Sequence, residues 1–433
     1  MDLYILNPQR EIIKVLDSSS SVIWTRRYFE CGDFEIYMKA DSEILKYLTE
    51  DNLIMRFDSP MTGIIENTEV NTDPENGDYI TVIGRDLKSL LMRRTVWKQT
   101  TLTGTVRAGL TQLLNENVIN PTDSTRKIPT LVLGDLSAGT MEMSGQYIGQ
   151  TLYDVIVEIC KTYGLGWDIT LDDNLNYVFK LYAGVDRSYD QDVNDWVVFS
   201  PDFNNLLNTT YKRDLTNMKN VANVAGEGEG LLRRLLAVGD TSGVLRREFF
   251  VDAKDITSDT GIEVTESFSV SSAYGYHDFT NYIYSIKEVT VDGEKTSNYT
   301  HNNPYYDNRR VYFHDCTSTW YRDSSGNRVE EYEDYAVTMT YNIGLSPDEY
   351  NALLRQRGLE ELSKLMETTS FDGDVDSTRQ YVLDKDFFVG DIVQVVNEYG
   401  LEASPRILEI IECEDENGIS VIPTFGTWNT TEV

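Results

Sequence analysis

Apolar and polar residues alternate with a period of two through much of the first hundred positions. Phe34, Ile36 and Met38 alternate with Glu35, Tyr37 and Lys39, the pattern of a strand with one buried face. Leu3–Leu6 and Ile12–Leu16 flank an Asn7-Pro8 turn, and Val22–Glu30 follows a serine-rich bend. Asp41 to Leu48 predicts a short helix. Further strands are expected at Leu53–Phe57, Gly63–Val70 and Tyr79–Ile83, the last two joined across the turn pairs Asp73-Pro74 and Asn76-Gly77. Residues 1–100 therefore read as an antiparallel β domain, a small sandwich or barrel.

The period changes in residues 101–194. Val106, Leu110, Leu113 and Leu114 recur at helical spacing, and that helix should stop before Asn120-Pro121. A second helix follows Gly149, with Leu152, Val155, Ile156, Ile159, Cys160 and Tyr163 on one apolar stripe and Gly164 as its stop. Such a stripe is read as core. Strands at Gly166–Thr170 and Tyr177–Tyr182, joined through Asp172-Asp173-Asn174, complete an α+β domain.

Strands return over 195–261, at Val197–Phe199, Val221–Ala225, Leu231–Val238 and Glu248–Val251. Residues 262–345 form a tyrosine-rich β segment, with 12 tyrosines from Tyr274 to Tyr341 and all three histidines. Ser346-Pro347-Asp348-Glu349 opens a helix with a cap, a first-position proline and a capping-box glutamate. Tyr350, Leu353, Leu354, Leu362, Leu365 and Met366 share a face of it, and the helix should end near Thr369 within a 346–376 segment. Residues 377–433 read as a small β-barrel-like unit, with strands at Phe387–Val389, Ile392–Val396, Arg406–Ile411 and Ser420–Ile422. The fold class expected is β-rich α+β, multidomain.

Composition narrows the function. In 433 residues, 38 Lys plus Arg face 71 Asp plus Glu, a net charge of −33. That balance opposes a grip on DNA, RNA or anionic lipid, which needs clustered basic residues. No apolar run approaches the ~20 residues of a membrane span, and the N-terminus lacks a signal-peptide pattern. A soluble, cytoplasmically made product is expected. Cys31, Cys160, Cys316 and Cys413 form no CxxC and read as free thiols. His277, His301 and His314 lack the spacing of a helical metal pair.

Each candidate for chemistry has a plainer reading. Ala225-Gly226-Glu227-Gly228-Glu229-Gly230 has two carboxylates where a phosphate would approach, so a bulge or hairpin loop is preferred. Asp372, Asp374 and Asp376 start like a calcium loop, but Ser377 and Leu383 stand where Gly and Glu are required. A solvated acidic turn is preferred. His277-Asp278 and His314-Asp315 lack a nucleophile elbow. No catalytic residue, cofactor or metal is assigned. Tyr305, Tyr306, Tyr312, Trp320 and Tyr321 are the candidate recognition surface, because tyrosine gives large contact area at small entropic cost; the alternative is that they pack a sheet.

Several strings together resemble a known family. They are Trp24-Thr25-Arg26-Arg27-Tyr28 with Gly32-Asp33-Phe34-Glu35, Gly184 to Tyr189, and Val224 to Gly230 with Gly226 and Gly228. Arg246-Arg247-Glu248 with Val251-Asp252-Ala253, Tyr350 to Leu354, and Asp386 to Val393 with Gly390-Asp391 follow in order. These resemble the tail-tip baseplate hub proteins of long-tailed phages and prophages of Gram-positive bacteria, with 262–345 as an insertion. The resemblance implies two tube-like β domains per chain, at 1–100 and 195–261, and a homotrimer with pseudo-sixfold symmetry. It implies that the trimer joins the distal tail protein and tail tube to the tip, beside the tape measure protein and receptor-binding or tip proteins. DNA would only pass through the channel, and no stable membrane insertion is implied. The place implied is the virion tail tip, assembled in the host cytoplasm. Arg26 and Arg27 face opposite sides of one strand, so one could pair with the acidic surface of a neighbouring subunit. The alternatives are a cell-wall glycan hydrolase and a receptor- or sugar-binding protein acting through the tyrosine-rich insertion.

Overall fold

The structure is a computed structural model that describes residues 3–57, 59, 61–73, 77–301, 308–365, 368–375, 380–416 and 418–426, with side chains for all of these except 207–209, 231 and 368–375. Two compact units divide the chain. One comprises Met1–Asn220, Thr241–Arg247 and Leu359–Val433, the other Val221–Asp240 and Glu248–Gly358.

In the first unit fifteen strands share one hydrogen-bonded sheet. Its central path runs Gly418–Gly426, Arg406–Asp415, Ser19–Arg27, Asp33–Lys39, Gly77–Asp86, Thr62–Asp73 and Leu53–Arg56, every neighbour antiparallel. The first and last hundred residues thus share a sheet, with Trp24 opposite Glu412 and Arg27 opposite Glu409. Among the described residues no sheet closes into a barrel. The expected alternation is present: Phe34, Ile36 and Met38 are buried and Glu35, Tyr37 and Lys39 are exposed. Trp24 stacks on Phe34 with ring centroids 5.0 Å apart, a pairing that adds about 0.5–1.5 kcal/mol beyond its area.

A second core of this unit lies under the helices Val106–Leu114 and Leu152–Tyr163. Thr151 caps the latter through its Oγ1, which accepts from Asp154 N at 3.0 Å, and Gly164 ends it with φ 64°. The predicted stripe, Leu152, Val155, Ile156, Ile159 and Cys160, is buried. A third core gathers Val197, Phe199, Phe387, Val393, Val395, Ile407 and Phe425.

In the second unit, Val221–Ala225 pairs antiparallel with Leu235–Val238 and parallel with Glu248–Asp252. A four-stranded sheet (Asp259–Ser271, Asp334–Gly344, Tyr282–Val291, Glu294–Lys295) and a three-stranded one (Tyr276–Asp278, Arg310–Phe313, Tyr299–His301) share a core. Val270, Val289, Val337, Met339 and Tyr341 of the first sheet meet Val311 and Phe313 of the second. Thr319–Arg322 and Arg328–Glu331 form a separate hairpin.

Some expected elements differ. The helix opened by Ser346 spans Pro347–Ser363 and stops short of Thr369. Thr368–Val375 is instead a strand, paired on both sides by Leu206–Asp214 and Gly418–Gly426, so ladder bonds override an acidic, weakly β-prone sequence. Asp372 and Asp374 therefore lie on strand backbone and not in a turn; their side chains, with Asp376 and Met366, are outside the described residues. Phe387–Val389 is no strand, Phe387 making only a single bridge to Leu383 before the turn at Val389-Gly390, and the 231–238 strand starts only at Leu235.

Candidate functional site

The family-like strings of the first unit converge on one cavity of about 310 Å³, lined by Trp24, Arg26, Lys88, Asp168, Thr170 and Asp391 among others. Strand register brings the groups together. Arg26 lies opposite Ile410 and Arg27 opposite Glu409, which places acidic residues of Arg406–Asp415 within reach. Arg26 pairs with Asp384 at 2.8 Å and Glu412 at 2.9 Å, and Glu412 also holds Arg56 at 2.7 Å. Burial opposes the charge of Arg26, yet Glu412 and Asp384 outweigh it and hold its pKa above the ordinary value. Arg27 pairs with Asp33 and Glu409 at 2.5 and 2.6 Å and donates to the Cys31 carbonyl at 2.8 Å. Both guanidinium charges are thus balanced inside the chain. The sheet brings Glu409 and Glu412 of Arg406–Asp415 alongside these arginines.

Asp86 organises the turn between the arginine strand and the next. Its Oδ2 accepts from Gly32 N at 2.6 Å, and its Oδ1 accepts from Lys88 N at 2.9 Å and from the Cys31 thiol at 2.9 Å. Burial, with Asp86 beside it, pushes the Cys31 thiol far above its usual pKa, which leaves it a poor nucleophile. A Cβ on Gly32 would lie 2.2 Å from the Thr25 carbonyl oxygen, so the close approach requires glycine. Lys88 is buried at 2% exposure. Its Nζ donates to the carbonyls of Arg27 and Glu30 at 2.7 and 2.9 Å and lies 5.3 Å from the Trp167 ring centre. Asp168 accepts from Ile169 N at 2.8 Å, and burial pushes its carboxyl up to about 6.

Gly390 and Asp391 close the far side. Asp391 accepts from Val185 N and Arg187 Nε, each at 2.8 Å, and from Phe388 N at 3.1 Å. Gly390 has φ +97° and packs on the Tyr28 ring, which a Cβ there would approach to 2.3 Å. The Tyr28 hydroxyl donates to the Gly164 carbonyl at 3.0 Å, and Arg406 covers its ring at 5.0 Å. Asp33 serves the Arg27 pair and Trp24 the core. Apart from the Thr170 hydroxyl and Arg26 Nε, which have no hydrogen-bond partner among the described residues, the polar groups named here are tied to backbone or to each other, so the arrangement clamps strand ends together.

A second joint uses the strings of the second unit. The glycine-rich run connects the hairpin strands Val221–Ala225 and Leu235–Val238. Gly226 faces Tyr350, and a Cβ there would lie 2.3 Å from the Tyr350 hydroxyl; Gly228 has φ +96°. That hydroxyl accepts from Glu227 N at 2.7 Å and donates to the Ile256 carbonyl at 3.0 Å. Arg234 donates to Asn351 at 2.9 Å.

Of the candidate recognition residues, Tyr305 and Tyr306 lie outside the described residues. Tyr312 is exposed on Arg310–Phe313, and Trp320 and Tyr321 are exposed on the Thr319–Arg322 hairpin strand, Trp320 under Arg328 at 5.2 Å. His277 stacks on Phe268 at 4.0 Å, and burial lowers its pKa. Sequence reasoning passed over Tyr28, Asp86, Lys88 and Asp168. Tyr28 stood inside a quoted motif, but a lysine in an amphipathic run carries no sign that it will be buried.

Full-length similarity decides the family. The chain belongs to the Siphovirus ReqiPepy6 Gp37-like protein family. Its family model matches residues 2–427, and the chain is a phage tail protein, placed in the virion tail. No curated protein sequence matches this tail protein. Among solved structures, prophage MuSo2 43 kDa tail protein from Shewanella oneidensis is similar at 10% identity, covering 100% of each chain with a TM-score of 0.51. The tail protein from Neisseria meningitidis MC58 is similar at 13% identity over 99% of this chain and 98% of that one, with a TM-score of 0.50. At such identities the likeness shows the fold, and the fold extends over the whole tail protein.

Proposed function

We propose that the tail protein is the baseplate hub of the tail tip, a homotrimer that joins the tail tube and distal tail ring to the tip and forms the DNA exit channel. The observation that carries this reading is the match of residues 2–427 to a siphovirus tail protein family. The clamps at Asp391 and at Tyr350 support it, since a part that transmits force needs strand ends fixed by buried polar contacts. The role is mechanical and not enzymatic. Its partners are the distal tail, tail tube and tape measure proteins, with receptor-binding or tip proteins beyond. Antibody raised against the chain should decorate only the tip of intact tails; decoration along the tube, or of free capsids, would sink the proposal.

A further inference from the structure

The tyrosine-rich part of the second unit carries a cleft that the hub role does not use. It is about 340 Å³, at the small end of the ~300–1,000 Å³ typical of ligand pockets. Two turns form it: Ser272 to Gly275 leads into the strand Tyr276–Asp278, and His314 to Ser318 follows Arg310–Phe313. The turns are tied by the Phe313 amide, which donates to the Gly275 carbonyl at 2.8 Å. None of the nine lining residues is Asp, Glu, Lys or Arg, in a chain whose residues are 25% charged.

Aromatic rings border the cleft in a braced row. Tyr274 is 72% exposed and Tyr312 38% exposed. Tyr276 stands between them, with ring centroids 6.1 Å from Tyr274 and 5.7 Å from Tyr312, both edge-to-face. Arg310 holds the middle ring in place from 4.0 Å and is itself locked to Asp278 by two bonds of 2.6 and 2.7 Å. Two rings therefore remain open to solvent while the third fixes their spacing, so little entropy is lost when a ligand stacks on them. Polar edges complete the rim: the hydroxyls of Ser272, Thr317 and Ser318, and the His314 ring, whose Nε2 lies 3.1 Å from Thr300 Oγ1.

Glu333 is exposed next to the rim, its backbone amide donating to Ser272 Oγ at 2.8 Å, while Asp315 and Arg310 are turned to other partners. Asp315 accepts from Asn298 at 2.7 Å and from Thr296, and Arg310 is neutralised by Asp278. Across 262–345, 13 acidic and 6 basic residues give 6 − 13 = −7, which opposes phosphate-bearing polymers. We propose that this cleft binds a neutral saccharide of the bacterial surface. The C–H faces of successive sugar rings would lie on Tyr274 and Tyr312, with hydroxyls on the serine, threonine and histidine rim. An amphipathic ring edged by hydroxyls is the ligand that aromatic faces and uncharged polar edges jointly select.

The test uses the full chain on an array of neutral and phosphate-bearing bacterial surface glycans, followed by saturation-transfer NMR with the bound neutral glycan. The expected result is binding confined to neutral glycans, with transfer to sugar ring protons, weakened at least tenfold in a Tyr274→Ala/Tyr312→Ala variant. His314→Ala, which leaves the rings in place, should weaken it less. Binding to no neutral glycan, preference for phosphate-bearing ones, or equal binding by a folded double variant each overturns the proposal. Trimer formation and tip labelling are unaffected by either outcome, so failure here is distinguishable from failure of the hub reading.

Discussion

At the scale of single residues, the tail protein is held by buried polar groups whose partners are far away in sequence. Asp391 is 2% exposed and serves Val185, Arg187 and Phe388 at once. Asp391→Ala strands a half-buried guanidinium and two amides, a loss expected to cost on the order of 2–3 kcal/mol. Urea unfolding should show it as a lowered midpoint. Asp168 behaves in the opposite sense. Burial lifts its pKa from 3.8 to about 6, so the folded chain keeps a proton that the unfolded chain releases across that range. Its contribution to stability is complete below the window and is lost as pH rises through it. Asp168→Asn stays uncharged throughout. It should raise the melting temperature at pH 7.5, by on the order of 1–3 kcal/mol of stability, and change it little at pH 4.5. An equal shift at both pH values would count against a proton-holding carboxyl.

At the scale of elements, local pattern was readable wherever local forces decide. The helix Leu152–Tyr163 has its threonine cap, apolar stripe and left-handed glycine in the sequence itself. Ser346 and Glu349 likewise form the reciprocal capping box their spacing implies, with Ser346 N donating to Glu349 Oε2 at 2.8 Å and Glu349 N to Ser346 Oγ at 3.2 Å. Ser346→Ala should cost about 1 kcal/mol, measurable by thermal denaturation; no change would mean that helix packing alone sets its start. Pairing between distant segments was not readable. Arg406–Asp415 lies beside Ser19–Arg27 through an antiparallel ladder and the ion pairs of Arg26 and Arg27 with Glu412 and Glu409, and nothing near either strand encodes that partner. The same holds for Thr368–Val375, where the ladder on both sides replaced an expected turn. The cavity residues follow suit: Arg26, Arg27, Gly390 and Asp391 stood out in the sequence, whereas Lys88 and Asp168 gain their roles only from what surrounds them.

At the scale of the whole molecule, the −33 charge takes on a purpose under the hub reading. Three chains bring 3 × −33 = −99 to a ring that DNA must traverse without sticking. Duplex DNA carries a charge every ~1.7 Å, and repulsion acts within a Debye length of ~8 Å at physiological salt. Acidic residues are therefore expected to line the bore. Assembly in threes is the claim on which channel, symmetry and partners all depend. The direct measurement is the native mass of the purified chain, with imaging of the same particles for symmetry. The account predicts 3 × 49.5 kDa = 148.5 kDa and a threefold ring with an axial opening. A 49.5 kDa monomer that is also absent from assembled tails would contradict it.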